Sequence, residues 1–259
     1  MLMLSRPKRW LACALLAAFV VGAVLLSQSH ARHADAVAVP ASAVQQLKLD
    51  VQAHRPQSEQ QLQRLAQDGN PLAARTLAEL AGEAATPQAL QQSLSWYRQG
   101  AAHGDGESAY QLGMAYLQGR SVPVDVAGAR RWFERAGDLP AAQFRLATML
   151  LRGEGGAANL PAGQQLLVKA AASGDANAMF MLGNRYRAGE GVAHDDAQAL
   201  HWYQLAANQE HAAALQTLSL AYAHGELGLA VDPHQAQFLG EYAGHAAKCH
   251  MPHSRVALF

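Results

Sequence analysis

One pattern returns along this chain at nearly constant spacing, and it restricts the fold more than any other feature. Leu77, Leu112, Leu146, Leu182 and Leu218 follow one another at intervals of 35, 34, 36 and 36 residues. Each is followed by a small residue (Ala78, Gly113, Ala147, Gly183, Ser219) and preceded, four positions earlier, by another (Ala73, Ser108, Ala142, Ala178, Ala214). Four positions after the leucine stands Tyr116, Leu150, Tyr186 or Tyr222, and a glycine closes the segment at Gly119, Gly153, Gly189 and Gly225. A second segment then carries Trp96-Tyr97, Trp132-Phe133, Leu166-Leu167, Trp202-Tyr203 and Phe238-Leu239. Self-similarity at such a period marks stacked supersecondary units.

Each unit reads as two antiparallel helices. Positions i, i+4 and i+8, such as Ala178, Leu182 and Tyr186, share one helix face, where the small side chains admit a neighbouring helix and the large ones fill the space beside it. Glycine after the last periodic residue suits the left-handed conformation that ends a helix. Asp125, Asn159, Asp195 and Asp232 are placed to accept from the free N–H groups of the next helix's first turn, and Pro87 and Pro233 fit a first helical position. Where the interval shrinks to 34, the turn Ala136-Gly137-Asp138 is the shortened part. Alanine, leucine and glutamine dominate, and β-branched residues are sparse beyond the N-terminus, so no sheet is expected. One hairpin cannot bury both its faces, so the units stack around a continuous core.

The run Gly174-Asp175-Ala176-Asn177-Ala178-Met179-Phe180-Met181-Leu182-Gly183-Asn184-Arg185-Tyr186, followed by Gly189-Glu190-Gly191-Val192, Asp195, Ala199 and Trp202-Tyr203, resembles the Sel-one-like repeat, a relative of the tetratricopeptide repeat. The resemblance covers roughly residues 66–246. The third unit departs from it with Leu166-Leu167 in place of Trp-Tyr, the fifth has a residue inserted before Asp232, and the first lacks the glycine turn. It implies an all-α fold, a right-handed α-solenoid of about five stacked helix pairs, and a protein-binding role as adaptor or scaffold. Ser58-Glu59-Gln60-Gln61 reads as a capping box opening an N-terminal capping helix through Ala66.

The N-terminus reads as an address. Arg6, Lys8 and Arg9 precede 17 uncharged residues, Trp10 to Leu26, enough to reach across a hydrocarbon core of about 30 Å. Residues 1–31 are therefore expected to be a signal anchor, or a signal peptide cut near Ser29-His30-Ala31. Either exports the body, since the basic flank stays cytoplasmic. In a Gram-negative cell the anchored form is a single-pass inner-membrane protein with a periplasmic body, and the cut form is soluble in the periplasm. Residues 32–57 then form a linker, 58–246 the repeats and 247–259 a tail. Beyond residue 9 the chain carries 17 Lys+Arg against 20 Asp+Glu, which gives no footprint for nucleic acid. Its two cysteines, Cys13 and Cys249, cannot staple the repeats.

Catalytic motifs are absent: there is no Gly-x-Ser-x-Gly, no phosphate-cradling loop and no His-Glu-x-x-His. Gly153-Glu154-Gly155-Gly156 aligns with the repeat turn, Asp195-Asp196 reads as capping, and the aromatic pairs read as packing. His103, His194, His201, His211 and His224 read mainly as surface. His245, Cys249, His250 and His253 match no closed zinc spacing, so no metal or cofactor is expected. What remains is a surface. Gln111, Met114, Ala115 and Gln118 align with Arg145, Thr148, Met149 and Arg152, with Met181, Asn184, Arg185 and Ala188, and with Thr217, Leu220, Ala221 and His224. These positions are read as the face opposite the core leucines, lining a concave groove. Its partner-binding residues are expected to be Gln111, Met114, Gln118, Arg145, Met149, Arg152, Met181, Asn184, Arg185 and His224. Three arginines with Met149 and Met181 between them suit carboxylates and adaptable apolar contacts on a protein partner. Some exported relatives resemble immunity proteins that neutralise a toxin or phospholipase effector delivered to the periplasm. Cysteine-rich relatives act on peptidoglycan or β-lactams, but they carry a disulfide in each repeat, and this chain has none.

Overall fold

The computed structural model describes residues 39–248, and among them every regular element is a helix. In chain order these are α1 (Ala41–Gln52), α2 (Ser58–Gln67), α3 (Pro71–Glu83), α4 (Pro87–Ala102), α5 (Gly106–Gln118), α6 (Val126–Arg135), α7 (Pro140–Arg152), α8 (Leu160–Ala172), α9 (Ala176–Ala188), α10 (Asp196–Ala207), α11 (Ala212–His224) and α12 (Pro233–Lys248). Each repeat contributes a pair, from α3 and α4 to α11 and α12, as an α-solenoid requires. The basic and apolar N-terminal runs, Cys13, and the tail with Cys249, His250 and His253 lie outside the described residues. Among the described residues no helix is long and apolar enough to cross a membrane.

Helix boundaries follow from local chemistry. The carboxylates of Asp125, Asp195 and Asp232 and the Asn159 amide oxygen accept from the N–H three residues on, at 2.8, 2.9, 3.0 and 3.1 Å. Asn70, Asp105 and Asp175 cap α3, α5 and α9 in the same way, each at 2.8 Å. Gly153, Gly189 and Gly225 end α7, α9 and α11 with φ near +70°. In the first repeat, which lacks that glycine, Ala85 takes a φ of +51° after α3. In the other four repeats a backbone hydrogen bond then closes the turn. Asp125, Asn159 and Asp195 donate their N–H to the carbonyls of Tyr116, Leu150 and Tyr186, and Asp232 donates to Tyr222 across its one extra residue. The glycines of 153–156 serve packing. A Cβ on Gly155 would lie 2.6 Å from the Val126 carbonyl oxygen and one on Gly156 would lie 2.9 Å from the Arg130 guanidinium, which donates to the Ala157 carbonyl at 3.1 Å.

The described chain divides into two compact units, the first ending at Leu112 and the second starting at Gly113, within α5. The second unit holds a core of Ala147, Leu167, Leu182, Tyr203, Leu215, Leu218 and Leu239, all at most 1% exposed. Each such leucine contributes about 1.5–3 kcal/mol by leaving water. Its first and second helices mesh by exchanged volume. A Cβ on Gly113 would approach the Phe133 ring to 2.6 Å, and one on Gly183 the Tyr203 ring to 2.6 Å. Where the small residue is Ala147 or Ser219, the partner column carries Leu167 or Leu239 instead. The second member of each aromatic pair in this unit is therefore core, and the first (Trp132, Leu166, Trp202) is half-buried, with Phe238 half-exposed at 49%. Leu146 also departs from its column: it is half-buried while Ala147 beside it is fully buried.

In the first unit, Val44, Leu62, Ala66, Ala73, Ala74 and Leu77 form a second core. Here the structure corrects two expectations. Residues 41–52 form a helix inside the segment read as linker, because Val44, Leu47 and Val51 recur at helical spacing and close over Leu62 and Leu77. The capping box at Ser58 does not form: the residue before α2 is Gln57, at a left-handed φ of +70°, with no side-chain cap, and Ser58 is itself helical and buried.

Candidate functional site

On a straight α-helix each residue turns about 100°, so the four aligned columns take different directions from the core leucine. The residue two positions after it points about 200° away, and the one six after it about 120°. These are Thr148 and Arg152, Asn184 and Ala188, and Leu220 and His224; all except half-buried Thr148 are exposed. The residue three positions on lies only about 60° from the leucine and must turn inward. Met149 is 2% exposed, Ala221 is fully buried, Ala115 is 6% exposed, and the Arg185 side chain retains 15% exposure. Met149 and Arg185 thus do not stand on the outward face where the sequence reading put them.

Arg152 is 66% exposed at the side chain, with Glu154 at 3.5 Å. Asn184 is exposed and accepts from the Tyr203 hydroxyl at 2.8 Å, which fixes its amide. Met181 is half-buried against the core. Arg145 is half-buried, its guanidinium 5.8 Å from the Phe144 ring centroid, and its charge acts on Asp175. His224 ends α11 and Gln118 ends α5, both exposed. Met114 is half-buried, and Gln111 donates within its own helix to Glu107 at 2.8 Å. The three arginines do not form one patch: Arg152 projects, Arg145 lies along Phe144, and Arg185 folds against Glu190 at 3.9 Å.

The corresponding columns of α3 are Glu79 and Glu83, and side chains of α1 reach them. Lys48 of α1 pairs with Glu79 at 2.6 Å, and Gln52, one turn on, donates to Glu83 at 3.2 Å. Arg75 extends the ladder to Glu79 at 3.7 Å and to Asp105 at 3.1 Å. Tyr97 lies among these charges. Burial first, and then the carboxylates of Glu79 and Glu107, push its phenol up to about 12, so it stays protonated and is no base. Sequence reasoning missed this arrangement because α1 was missed, although Lys48 and Gln52 stand at i and i+4.

His211 is more than surface. Its Nδ1 accepts from the Ala214 N–H at 3.2 Å as the cap of α11, and its ring stacks on Phe180 with centroids 4.8 Å apart. Burial lowers its pKa, against the pull of Asp175, and burial raises that of Asp175. Asp175 caps α9, so the pair belongs to the scaffold. Among the described residues no group of three or more His, Cys, Asp or Glu side chains converges as a metal site.

Comparison with known proteins agrees with this architecture. A crystallised Sel1 repeat protein from Oxalobacter formigenes superposes with a TM-score of 0.71 at 24% identity, covering 80% of this chain and 88% of that one. A protective antigen of uropathogenic Escherichia coli superposes at 0.66 with 22% identity over 80% of this chain, which spans 46% of the antigen's length. An immunity protein of Pseudomonas aeruginosa gives a TM-score of 0.47 at 18% identity, covering 85% and 82% of the two chains. No curated protein matches the chain. The Sel1 repeat itself matches five times without a gap, at residues 71–105, 106–139, 140–175, 176–211 and 212–245, and the chain belongs to the Sel1 repeat family.

Proposed function

We propose that the chain is a non-enzymatic binding protein that receives a helical segment of a protein partner on the outward columns of α7, α9 and α11. One observation carries this reading. The columns that present Arg152, Asn184, Leu220 and His224 carry Glu79 and Glu83 in α3, and α1 binds both through Lys48–Glu79 and Gln52–Glu83. The chain thus displays on its own first repeat how a helix seats there. Sel1 repeats in general mediate protein–protein contact, and Leu220, 48% exposed, offers an apolar anchor between polar neighbours. In this reading the body is exported by the N-terminal basic and apolar runs and works in the envelope, as an assembly adaptor or an inhibitor of a delivered toxin.

Photo-crosslinkers at Asn184, Ala188 and Leu220 test it. They are expected to trap one protein in the native envelope, and Arg152→Glu with His224→Glu is expected to weaken that capture at least about tenfold while leaving the far-UV dichroism unchanged. Crosslinks confined to other surfaces would refute the assignment. Fusion of alkaline phosphatase after residue 57 is expected to give an active enzyme, and an inactive fusion with a fluorescent cytoplasmic reporter in its place would refute export.

A further inference from the structure

A cavity lies wholly within the first unit. It measures about 720 Å³ and opens between the α1–α2 turn, the end of α3 and α4, within the size range of ligand sites. Its apolar lining is Val51, Leu80 and Trp96, with Leu77 behind at 4% exposure. Two carboxylates, Glu59 and Glu83, also line it. The hydrogen-bond partners of both are amides: Gln63 donates to Glu59 at 3.1 Å and Gln52 to Glu83 at 3.2 Å. Neither pairs with a basic side chain among the described residues. The wall also holds His54 and Arg55, and Arg55 is matched by Asp50 at 3.0 Å, outside the lining, so the guanidinium does not neutralise the two glutamates. An indole beside uncompensated carboxylates attracts a cation through its ring quadrupole as well as by charge. The side-chain amides of Gln52 and Gln92 add donors and acceptors of the kind that match a peptide backbone.

We infer that this cavity is a second recognition site, one that takes an arginine or lysine side chain, followed by an apolar residue, from a partner polypeptide. The aliphatic stem of such a residue suits Val51 and Leu80, and its charged head the two glutamates. The chemistry excludes acidic segments, which Glu59 and Glu83 repel.

The test uses the full chain and three probes: acetyl-Arg-Leu-amide, its citrulline analogue, which keeps the shape and loses the charge, and choline. Binding is followed by the indole N–H resonance of Trp96, assigned with Trp96→Phe. The arginine probe is expected to shift that resonance saturably and with salt sensitivity. The citrulline probe, or Glu59→Gln with Glu83→Gln, is expected to lower affinity about tenfold. The glutamine variants keep side-chain volume and leave the cores untouched, so their dichroism stays that of the parent. An absent or unsaturable shift, equal binding of the citrulline probe, or full binding by the double variant would each overturn the proposal. Tighter binding of choline than of the arginine probe would overturn the polypeptide assignment in favour of a quaternary ammonium headgroup.

Discussion

At the scale of single residues, the fold depends on where volume is withheld. Gly183 leaves room for the Tyr203 ring, which would meet an added Cβ at 2.6 Å. Gly183→Ala is therefore expected to destabilise the chain by about 1–3 kcal/mol, measured by urea unfolding. Adding Tyr203→Leu reproduces the natural Ala147–Leu167 pairing, so the double variant is expected to be more stable than the two single costs predict, with a coupling of about 1 kcal/mol or more. Strict additivity would refute the exchange of volume. Gly244, in α12 with nothing within 4 Å of an added Cβ, is the contrasting site: alanine there is expected to stabilise by up to about 1 kcal/mol. The leucine and aromatic columns were legible in the sequence because they repeat. The inward turn of Met149 and Arg185 is legible too: an offset of three residues from the core leucine puts them at about 60° from it, nearer the core than the other columns.

At the scale of an element, α11 is capped by a titratable side chain. Burial holds the pKa of His211 below its ordinary 6.5, so as pH falls the unfolded chain takes up the proton first. The stability that His211 supplies is complete above 6.5 and is lost as pH falls toward the folded-state value. Asp175, raised by burial above 3.8, acts in the opposite sense in a lower window. The melting temperature is accordingly expected to drop between pH 7 and 5, and His211→Asn, which caps without titrating, is expected to flatten that drop. An unchanged slope would remove His211 as the cause. Helix α1 shows the other side of legibility. Its alternating Ala-Val-Ala-Val approach and Pro40 read as linker, whereas Val44, 1% exposed, packs with Leu47 and Val51 at helical spacing on the core of α2 and α3.

At the scale of the whole molecule, two cores lie on either side of Leu112 and Gly113, and in stacked repeats stability is summed from neighbouring terms. Leu62→Ala, which opens a hole in the first core, is expected to cost about 2–5 kcal/mol and to speed amide exchange in α2–α4 far more than in α9–α12. Uniform acceleration would show one cooperative block instead. The stacked-hairpin plan was readable from period alone, since each offset is echoed in several units; the cavity of the first unit was not, because it forms where the first repeat meets the irregular helices that precede it. The turn-closing bond has a further consequence. Asp232 reaches the Tyr222 carbonyl at 2.9 Å across a span one residue longer than those ending at Asp125, Asn159 and Asp195. The clasp therefore tolerates slack, and because Leu227 is held in the core with Leu229 packed against it, the exposed Ala230-Val231 is the natural berth for a grafted epitope or label.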